Sequence, residues 1–129
     1  MSAGDLTAGA DVRSNDEVGT LSRTFDGMTS SLLGLVSVIA PVIVTGNTCV
    51  VATSAERPLP AITLSEVLAT SDVPGGVVNI LTGALGDTTP TLASHMDVNA
   101  IDLTGVADTD LARSLEEAAA ENLKRVRRP

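Results

Sequence analysis

The chain has 129 residues, a formal net charge of −8 and 43% hydrophobic residues. The hydrophobic fraction excludes global disorder. The length is sufficient for one domain with a hydrophobic core but not for two sizeable domains. The excess of acidic side chains opposes non-specific binding to nucleic acid. Since Phe25 is the one aromatic residue, the core must be built from Val, Leu, Ile and Ala, which suits closely packed β-α units.

The first predicted element is a helix with a regular apolar stripe before position 33. Its apolar residues step by three and four, the spacing of a coiled-coil seam, and they are Val18, Leu21, Phe25, Met28 and Leu32. Asn15 or Ser14 is the expected N-cap of this helix. The stripe predicts either a dimer seam or a helix face that packs on its own chain.

Residues 1–32 also contain short sequence motifs of a known module. Gly4-Asp5-Leu6 and Asp16-Glu17-Val18-Gly19, followed by the stripe, resemble the connector and second helix of a HAMP domain. That module is the parallel dimeric bundle that relays signals below the membrane in bacterial receptors and kinases. The resemblance covers residues 3–32 and only half of the module, because its first helix is absent. It implies a partial HAMP-like connector and helix over residues 1–32.

From position 33 onward, predicted helices and strands alternate. An apolar helix over 33–44 ends at Gly46-Asn47. In chain order there follow a strand over 48–53, a helix over 60–70, a strand over 77–81, a short helix or loop over 88–95, a strand over 100–103 and a long helix over 108–126. Such alternation builds a parallel sheet. The predicted fold is therefore α/β, a three-stranded parallel Rossmann-like βαβαβα half-domain with an N-terminal heptad-patterned helix.

Several short motifs between residues 33 and 126 occur in the same order as in a known protein family. They surround the predicted strands and the end of the last helix, and they read Ile39-Ala40-Pro41 with Gly46-Asn47-Thr48, Pro74-Gly75-Gly76-Val77-Val78-Asn79 with Thr82-Gly83, Leu92-Ala93-Ser94-His95 with Thr104-Gly105, and Asn122-Leu123-Lys124-Arg125-Val126. On these words the region resembles the NAD(P)-binding domain of the aldehyde dehydrogenase superfamily, a family of oxidoreductases. The resemblance implies a partial NAD(P)-binding subdomain over residues 33–129.

The resemblance also implies where a cofactor would lie. The corresponding positions are Thr53, Ser54, Gly83, Thr104 and Gly105. The family's first strand ends in Lys-Pro-Ser/Ala-Glu, whose Lys and Glu hold the adenosine ribose, and Ala52 and Ala55 stand at those two positions. Val106 replaces the serine that faces the pyrophosphate. Asp110 replaces a nearby glycine, where it either repels a phosphate or, like Asp108, caps the next helix. We therefore expect a degenerate site with no bound NAD(P).

No catalytic residue is expected in this chain. The family's oxyanion asparagine, general-base glutamate and nucleophilic cysteine fall outside the matched region, and Cys49 lies inside a strand, where a thiol is usually buried and inert. One His and one Cys cannot close a zinc site, so no metal is expected. The leading hypothesis is an aldehyde-dehydrogenase-like fragment that is inactive alone. The alternatives are a dimerising or signalling interaction module that uses the HAMP-like helix, and one part of a split NAD(P)-dependent enzyme.

The remaining features predict a compartment and partners. The single cysteine fits a reducing compartment, and the start does not resemble a signal peptide. The longest apolar stretch, 32–44, has 13 residues, fewer than the roughly 20 that cross a membrane. We thus expect a cytoplasmic protein without a membrane span. The basic segment 113–129 is interpreted as the last turn of a helix. Half a sheet leaves an edge uncovered, which predicts self-association or a protein partner.

Overall fold

The structure is a computed structural model that describes residues 16–128, so the Gly4-Asp5-Leu6 connector lies outside the described residues. In chain order the elements are α1 (Glu17–Val44), β1 (Cys49–Thr53), α2 (Leu59–Ala69), β2 (Val78–Thr82), α3 (Leu85–Ser94), β3 (Ala100–Asp102), α4 (Thr109–Glu121) and β4 (Arg125–Arg127). This alternation confirms the α/β class. The described chain forms two compact units: the first comprises residues 16–51 and 56–81, and the second comprises 52–55 and 82–128.

The strands form two small sheets instead of the predicted single sheet of three. β1 pairs with β2, and β3 pairs with β4 in parallel, with Ile101 opposite Val126. The fourth strand occupies residues for which the sequence predicts the end of a long helix over 108–126. That prediction is wrong, and with it the prediction of a three-stranded arrangement.

α4 stops at Glu121 because its last turn closes with two backbone hydrogen bonds. The N–H of Leu123 donates to the carbonyl of Ala120 at 3.1 Å, and the N–H of Lys124 donates to that of Ala119 at 3.1 Å. These are the two bonds of a Schellman motif. Leu123 takes a left-handed φ of 53°, which turns the chain into β4. Because no glycine marks this position, the sequence pattern does not reveal the stop.

α1 ends with the same motif, but with a glycine at the turning position. The N–H of Gly46 donates to the carbonyl of Ile43 at 2.9 Å, and the N–H of Asn47 donates to the carbonyl of Val42 at 3.1 Å. Gly46 has a φ of 81°, a conformation that glycine adopts without steric cost. The predicted helix end at Gly46-Asn47 is therefore confirmed.

Replacing Leu123 with glycine is expected to raise the free energy of unfolding by about 1 kcal/mol, because the left-handed conformation costs a residue with a Cβ roughly that much. The Leu123 side chain is 92% exposed, so its removal loses little packing. Thermal unfolding followed by circular dichroism at 222 nm measures the change. Leu123→Ala keeps the Cβ and is the matched control, expected to gain nothing. A Leu123→Gly variant that melts no higher than Leu123→Ala contradicts the explanation.

α1 is a single helix of 28 residues, where the sequence predicts two helices that meet near position 33. Its N-cap is Asp16 and not Ser14 or Asn15. Asp16 Oδ1 accepts hydrogen bonds from the N–H groups of Val18 and Gly19, each at 3.1 Å. The helix continues through position 33 although Ser31 and Gly34 are weak helix formers, because no residue there takes a left-handed conformation; the first one that does is Gly46.

The length and composition of α1 meet the requirement for a membrane-spanning helix, and within residues 16–128 it is the one helix that does so. The expected absence of such a helix rests on the 13-residue stretch 32–44, and α1 extends this stretch through uncharged Gly, Ser and Thr residues. Ile39, inside the apolar segment, is only 4% exposed and faces Leu64 and Leu68 of α2. One face of the C-terminal half of α1 therefore packs on α2 at Ile39, whereas Val38 and Val44 are 40 and 86% exposed.

The core of the second unit lies where α3 and α4 pack together over β3 and β4. Its buried side chains are Ala93, Leu103 and Leu115, and the partly buried ones around them are Ile101, Val106, Leu111, Ala118 and Val126. The contributions of α4 recur at spacings of three and four residues, which places them on one helix face. This core holds in place the turn between β3 and α4.

Candidate functional site

All positions predicted to contact a cofactor lie in the second unit, which contains the end of β1, the turn after β2 and the turn after β3. These positions are Thr53, Ser54, Gly83, Thr104 and Gly105, with the replaced positions Ala52, Ala55 and Val106. Among residues 16–128 no group of three or more His, Cys, Asp or Glu side chains is placed to bind a metal ion. What these positions offer a ligand is therefore set by their hydrogen-bond donors and their charges.

The β3–α4 turn, residues 103–108, holds its own backbone amides with an acceptor from β3. The N–H of Thr104 donates to Asp102 Oδ1 at 2.9 Å. The other oxygen of this carboxylate, Oδ2, lies 3.4 Å from Arg127 Nη1. The N–H of Val106 donates to the carbonyl of Leu103 at 3.0 Å. Two amides of the turn therefore already have acceptors within the chain.

A second carboxylate occupies the N-terminus of α4. Asp108 Oδ1 accepts hydrogen bonds from the N–H groups of Asp110 and Leu111, at 2.9 and 3.1 Å. Asp108 is thus the N-cap, one of the two alternatives that the sequence leaves open. Asp110 lies in the first turn, 3.9 Å from Arg113. A helix N-terminus attracts anions through its free amides and its dipole, and here an internal anion uses both.

Val106 has a structural role in place of a polar one. Its side chain packs against the buried cluster that contains Leu103 and Leu115. A serine at this position would bring a hydroxyl into apolar surroundings, where it is unfavourable without a partner. The replacement of the family's serine by Val106 is therefore part of the packing of the second unit.

The end of β1 carries no charged side chain at the two positions implied for ribose binding. Ala52 is half-buried and Ala55 is exposed, and neither side chain donates or accepts a hydrogen bond. Thr53 between them is 9% exposed. Glu56 follows Ala55 and is exposed. The strand is therefore present here, but the charged side chains implied at positions 52 and 55 are not.

Gly83 retains a backbone conformation that few other residues adopt. It follows β2 with a φ of 155°. A Cβ built there would lie 3.7 Å from the Thr88 side chain, an ordinary contact, so glycine is required for its conformation and not for space. The predicted glycine turn after the second strand is thus present in the fold.

Neither Cys49 nor His95 has the surroundings of a catalytic group. Burial raises the pKa of the Cys49 thiol, which keeps it protonated and unreactive at neutral pH. His95 is exposed, and its Nδ1 accepts the N–H of Asp97 at 3.2 Å. The neighbouring Ser94 hydroxyl donates to the carbonyl of Pro90 at 3.0 Å and is therefore not directed at the imidazole.

The basic residues near the C-terminus bind groups elsewhere in the second unit instead of forming the last turn of a helix. The last turn of α4 contains no basic residue, which corrects the sequence interpretation. Lys124 Nζ donates to the carbonyl of His95 at 2.6 Å, at the C-terminal end of α3. Arg128 binds both carboxylate oxygens of Glu116, at 2.6 and 2.7 Å. These charges have partners inside the chain.

Sequence reasoning missed Asp102 and Lys124. An acidic residue at the end of a short strand, directly before a Thr-Gly turn, was a visible signal for Asp102, since Asp side chains commonly accept amides two residues later. Lys124 carried no comparable signal, because its partner, the carbonyl of His95, is 29 residues away.

A cavity of about 280 Å³ in the first unit lies between α2 and the loop before β2. Its side chains are apolar except for Ser65, which donates to the carbonyl of Ile62 at 2.6 Å, and the backbone of Gly75 and Gly76 forms part of its wall. None of the predicted cofactor positions lines it. Because the side chains that line it carry no charge, this cavity does not add to the candidate site.

Comparison with known proteins identifies the lineage of this region. A family model described as the aldehyde dehydrogenase family matches residues 30–127. The chain is similar to cytosolic aldehyde dehydrogenase 1 of Macroscelides proboscideus, with 33% identity over 113 residues that cover 87% of this chain and 22% of that protein. This aligned stretch is longer than the segment from Leu33 to Pro129, so it also includes residues of α1 before Leu33.

Two further relatives come from a fungus and a bacterium. An aldehyde dehydrogenase of Aspergillus niger is 36% identical over 89 residues, 68% of this chain and 18% of that protein. A betaine aldehyde dehydrogenase of Rhizobium johnstonii is 40% identical over 87 residues, 67% of this chain and 17% of that protein. The chain thus spans about a fifth of the length of these curated relatives. The resemblance stated for residues 33–126 is confirmed, and that of residues 3–32 to a HAMP domain stays a prediction.

Proposed function

Because this chain belongs to the aldehyde dehydrogenase family, we propose that it is a member whose cofactor region keeps its fold but no longer holds NAD(P). It acts as a non-catalytic module and not as an oxidoreductase in its own right. The observation that carries the proposal is the β3–α4 turn, where the carboxylates of Asp102 and Asp108 accept the amides that a pyrophosphate needs. The residues present do not fit the cofactor.

Charge repulsion between a phosphate and the nearby carboxylates is a second obstacle to NAD(P) binding, beside the occupied amides. The carboxylates of Asp102, Asp108 and Asp110 all lie next to or within the β3–α4 turn. A phosphate placed about 5 Å from one such carboxylate, at an effective dielectric constant near 20, is destabilised by roughly 3 kcal/mol. Arg127 lies 3.4 Å from Asp102 and Arg113 lies 3.9 Å from Asp110, so these two charges are partly offset and the repulsion of an anionic ligand comes mainly from Asp108.

The end of β1 supports the same conclusion from a different part of the ligand. The family resemblance implies a Lys and a Glu where this chain has Ala52 and Ala55. Each charge-assisted hydrogen bond contributes about 1.5–3 kcal/mol, so the loss of both weakens binding by roughly 10²- to 10⁴-fold. Glu56 is one position too late along the chain to replace the lost carboxylate.

We propose the cytosol as the compartment of this protein, supported by the name of the relative from Macroscelides proboscideus.

Calorimetric titration of the whole chain with NAD⁺ and with NADPH is expected to show no saturable heat at ligand concentrations up to about 1 mM, which corresponds to binding weaker than about 4 kcal/mol. The double variant Ala52→Lys/Ala55→Glu is expected to bind NAD⁺ more tightly than the parent, because it restores both anchors. The charge-swapped Ala52→Glu/Ala55→Lys variant has the same composition and is the matched control. Micromolar binding of either cofactor by the parent contradicts the proposal.

A further inference from the structure

The cavity between α2 and the loop before β2 exists because small residues form part of its wall. Ala69, Gly75 and Gly76 are among the residues that line it. A Cβ built on Gly75 or Gly76 would meet no other atom within 4 Å. The volume of about 280 Å³ therefore stays open, since these three positions carry a methyl group or no side chain. It is close to the lower end of the roughly 300–1,000 Å³ that small-molecule sites occupy.

Hydrogen bonds fix the loop that carries the two glycines. The N–H of Val77 donates to the carbonyl of Pro74 at 3.2 Å, which closes a turn over 74–77. Gly76 has a φ of 86°, the conformation that the second central residue of a type II turn requires. The side-chain amide of Asn79 donates to the carbonyl of Gly76 at 2.9 Å. This part of the wall is therefore formed before any ligand binds.

The start of the same loop is fixed to the C-terminal end of α2. Ser71 Oγ donates to the carbonyl of Leu68 at 2.8 Å and accepts the N–H of Val73 at 3.2 Å. Leu68 and Val73 both line the cavity, so one serine joins two of its lining residues. A cavity with such fixed walls resembles the largely pre-formed sites in which proteins bind small molecules.

The polar groups of the wall decide which molecules fit. Apart from the Ser65 hydroxyl they belong to the backbone, and the N–H groups of Gly75 and Gly76 donate no hydrogen bond within residues 16–128. Ala69 is the last residue of α2, and the carbonyl end of a helix opposes an anion. No lining side chain offers a positive charge to compensate. The wall therefore suits a neutral molecule that is mostly apolar and carries a hydrogen-bond acceptor.

We propose that this cavity binds a neutral, fused-ring molecule of about ten non-hydrogen atoms, with its ring against Leu68, Val78 and Ile80 and an acceptor oxygen on the amides of Gly75 and Gly76. An apolar cavity of about 150 Å³ is large enough for benzene, so the larger volume here admits a second ring. Water is a poorer occupant, because it needs two to four polar partners. Its displacement by an apolar ring favours binding.

Titration of the ¹⁵N-labelled whole chain with 1-indanone, followed by ¹H–¹⁵N correlation spectra, tests the proposal. The amide signals of Gly75, Gly76 and Val78 are expected to shift in a saturable way, with a Kd of roughly 1 mM for a ligand of this size. Indane has the same rings without the oxygen and is expected to bind about 2- to 10-fold more weakly. Indane-1-carboxylate is expected to bind at least about 5-fold more weakly than 1-indanone, because it brings a charge to the carbonyl end of α2.

Two variants that fill the cavity test the location of the ligand. Ala69→Phe and Gly75→Leu are each expected to abolish the saturable shifts. Gly75 lies outside the left-handed region and has open space around its Cα, so the fold tolerates a side chain there, and the spectrum of each variant verifies its folding. Ala120→Phe is the matched control, because Ala120 is an exposed residue near the C-terminal end of α4. It is expected to keep the Kd of the parent.

Three results would overturn the proposal: no saturable shift with 1-indanone up to about 10 mM, shifts confined to the amides of α1, or an unchanged Kd in both Ala69→Phe and Gly75→Leu. The second result would assign the ring to the exposed apolar side chains of α1. Indane that binds as tightly as 1-indanone would overturn the role of the two glycine amides. None of these results depends on NAD(P), because no predicted cofactor position lines the cavity, so this proposal and the proposed function fail independently.

Discussion

Leu115→Ala is expected to lower the free energy of unfolding of the second unit by about 3 kcal/mol, within the 2–5 kcal/mol typical of a buried leucine truncated to alanine. Leu115 is 2% exposed and belongs to the cluster formed with Ala93 and Leu103. Its loss leaves a cavity between α4, α3 and β3, which a core made only of small aliphatic side chains cannot refill. Small domains are stable by only about 5–15 kcal/mol, so this change removes a large share.

Urea unfolding followed by circular dichroism at 222 nm measures the loss, since the chain contains no Trp or Tyr for fluorescence. Leu123→Ala removes the same atoms from a side chain that is 92% exposed and is expected to change stability by less than about 0.5 kcal/mol. If the two variants unfold at the same urea concentration, Leu115 is not at the centre of the core.

Lys124→Met is expected to destabilise the second unit by about 2 kcal/mol, because hydrogen bonds to charged groups contribute about 1.5–3 kcal/mol. Lys124 is 9% exposed, and its ammonium donates to the carbonyl of His95 at 2.6 Å. This carbonyl is at the C-terminal end of α3, where the helix dipole favours a positive charge. Methionine keeps the length and apolar stem of lysine and removes only the charge and its donors.

The same end of α3 receives a second side chain from beyond α4, since Asn122 Nδ2 donates to the carbonyl of Ser94 at 2.8 Å. Amide hydrogen exchange is therefore expected to rise locally around residues 94–98 in Lys124→Met. Arg125→Met changes the neighbouring basic residue, which is exposed in β4, and is the control, with an expected effect below about 0.5 kcal/mol. Equal losses in the two variants would show that Lys124 does not cap α3.

Much of the element order was predictable from residue patterns. The strand over 48–53 is found at Cys49–Thr53, and the helix over 60–70 is found at Leu59–Ala69. Both are short runs bounded by glycine, proline or small polar residues, which mark boundaries locally. The end of α4 was not predictable, because a leucine with 92% exposure occupies the left-handed position that glycine usually marks.

The candidate site divides in the same way. The replacement of the ribose-binding residues by Ala52 and Ala55, the loss of the serine at Val106 and the membership of the family follow from residue identity along the chain, so they needed no coordinates. The bonds that Asp102 and Asp108 accept from amides two or three residues later are local, and the sequence carried a signal for both. The folded chain was needed to show that Lys124 caps α3 and that Arg127 lies beside Asp102. Local sequence does not encode such pairings, because partners like Asp102 and Arg127, 25 residues apart, meet only when α3, α4 and both strands pack together.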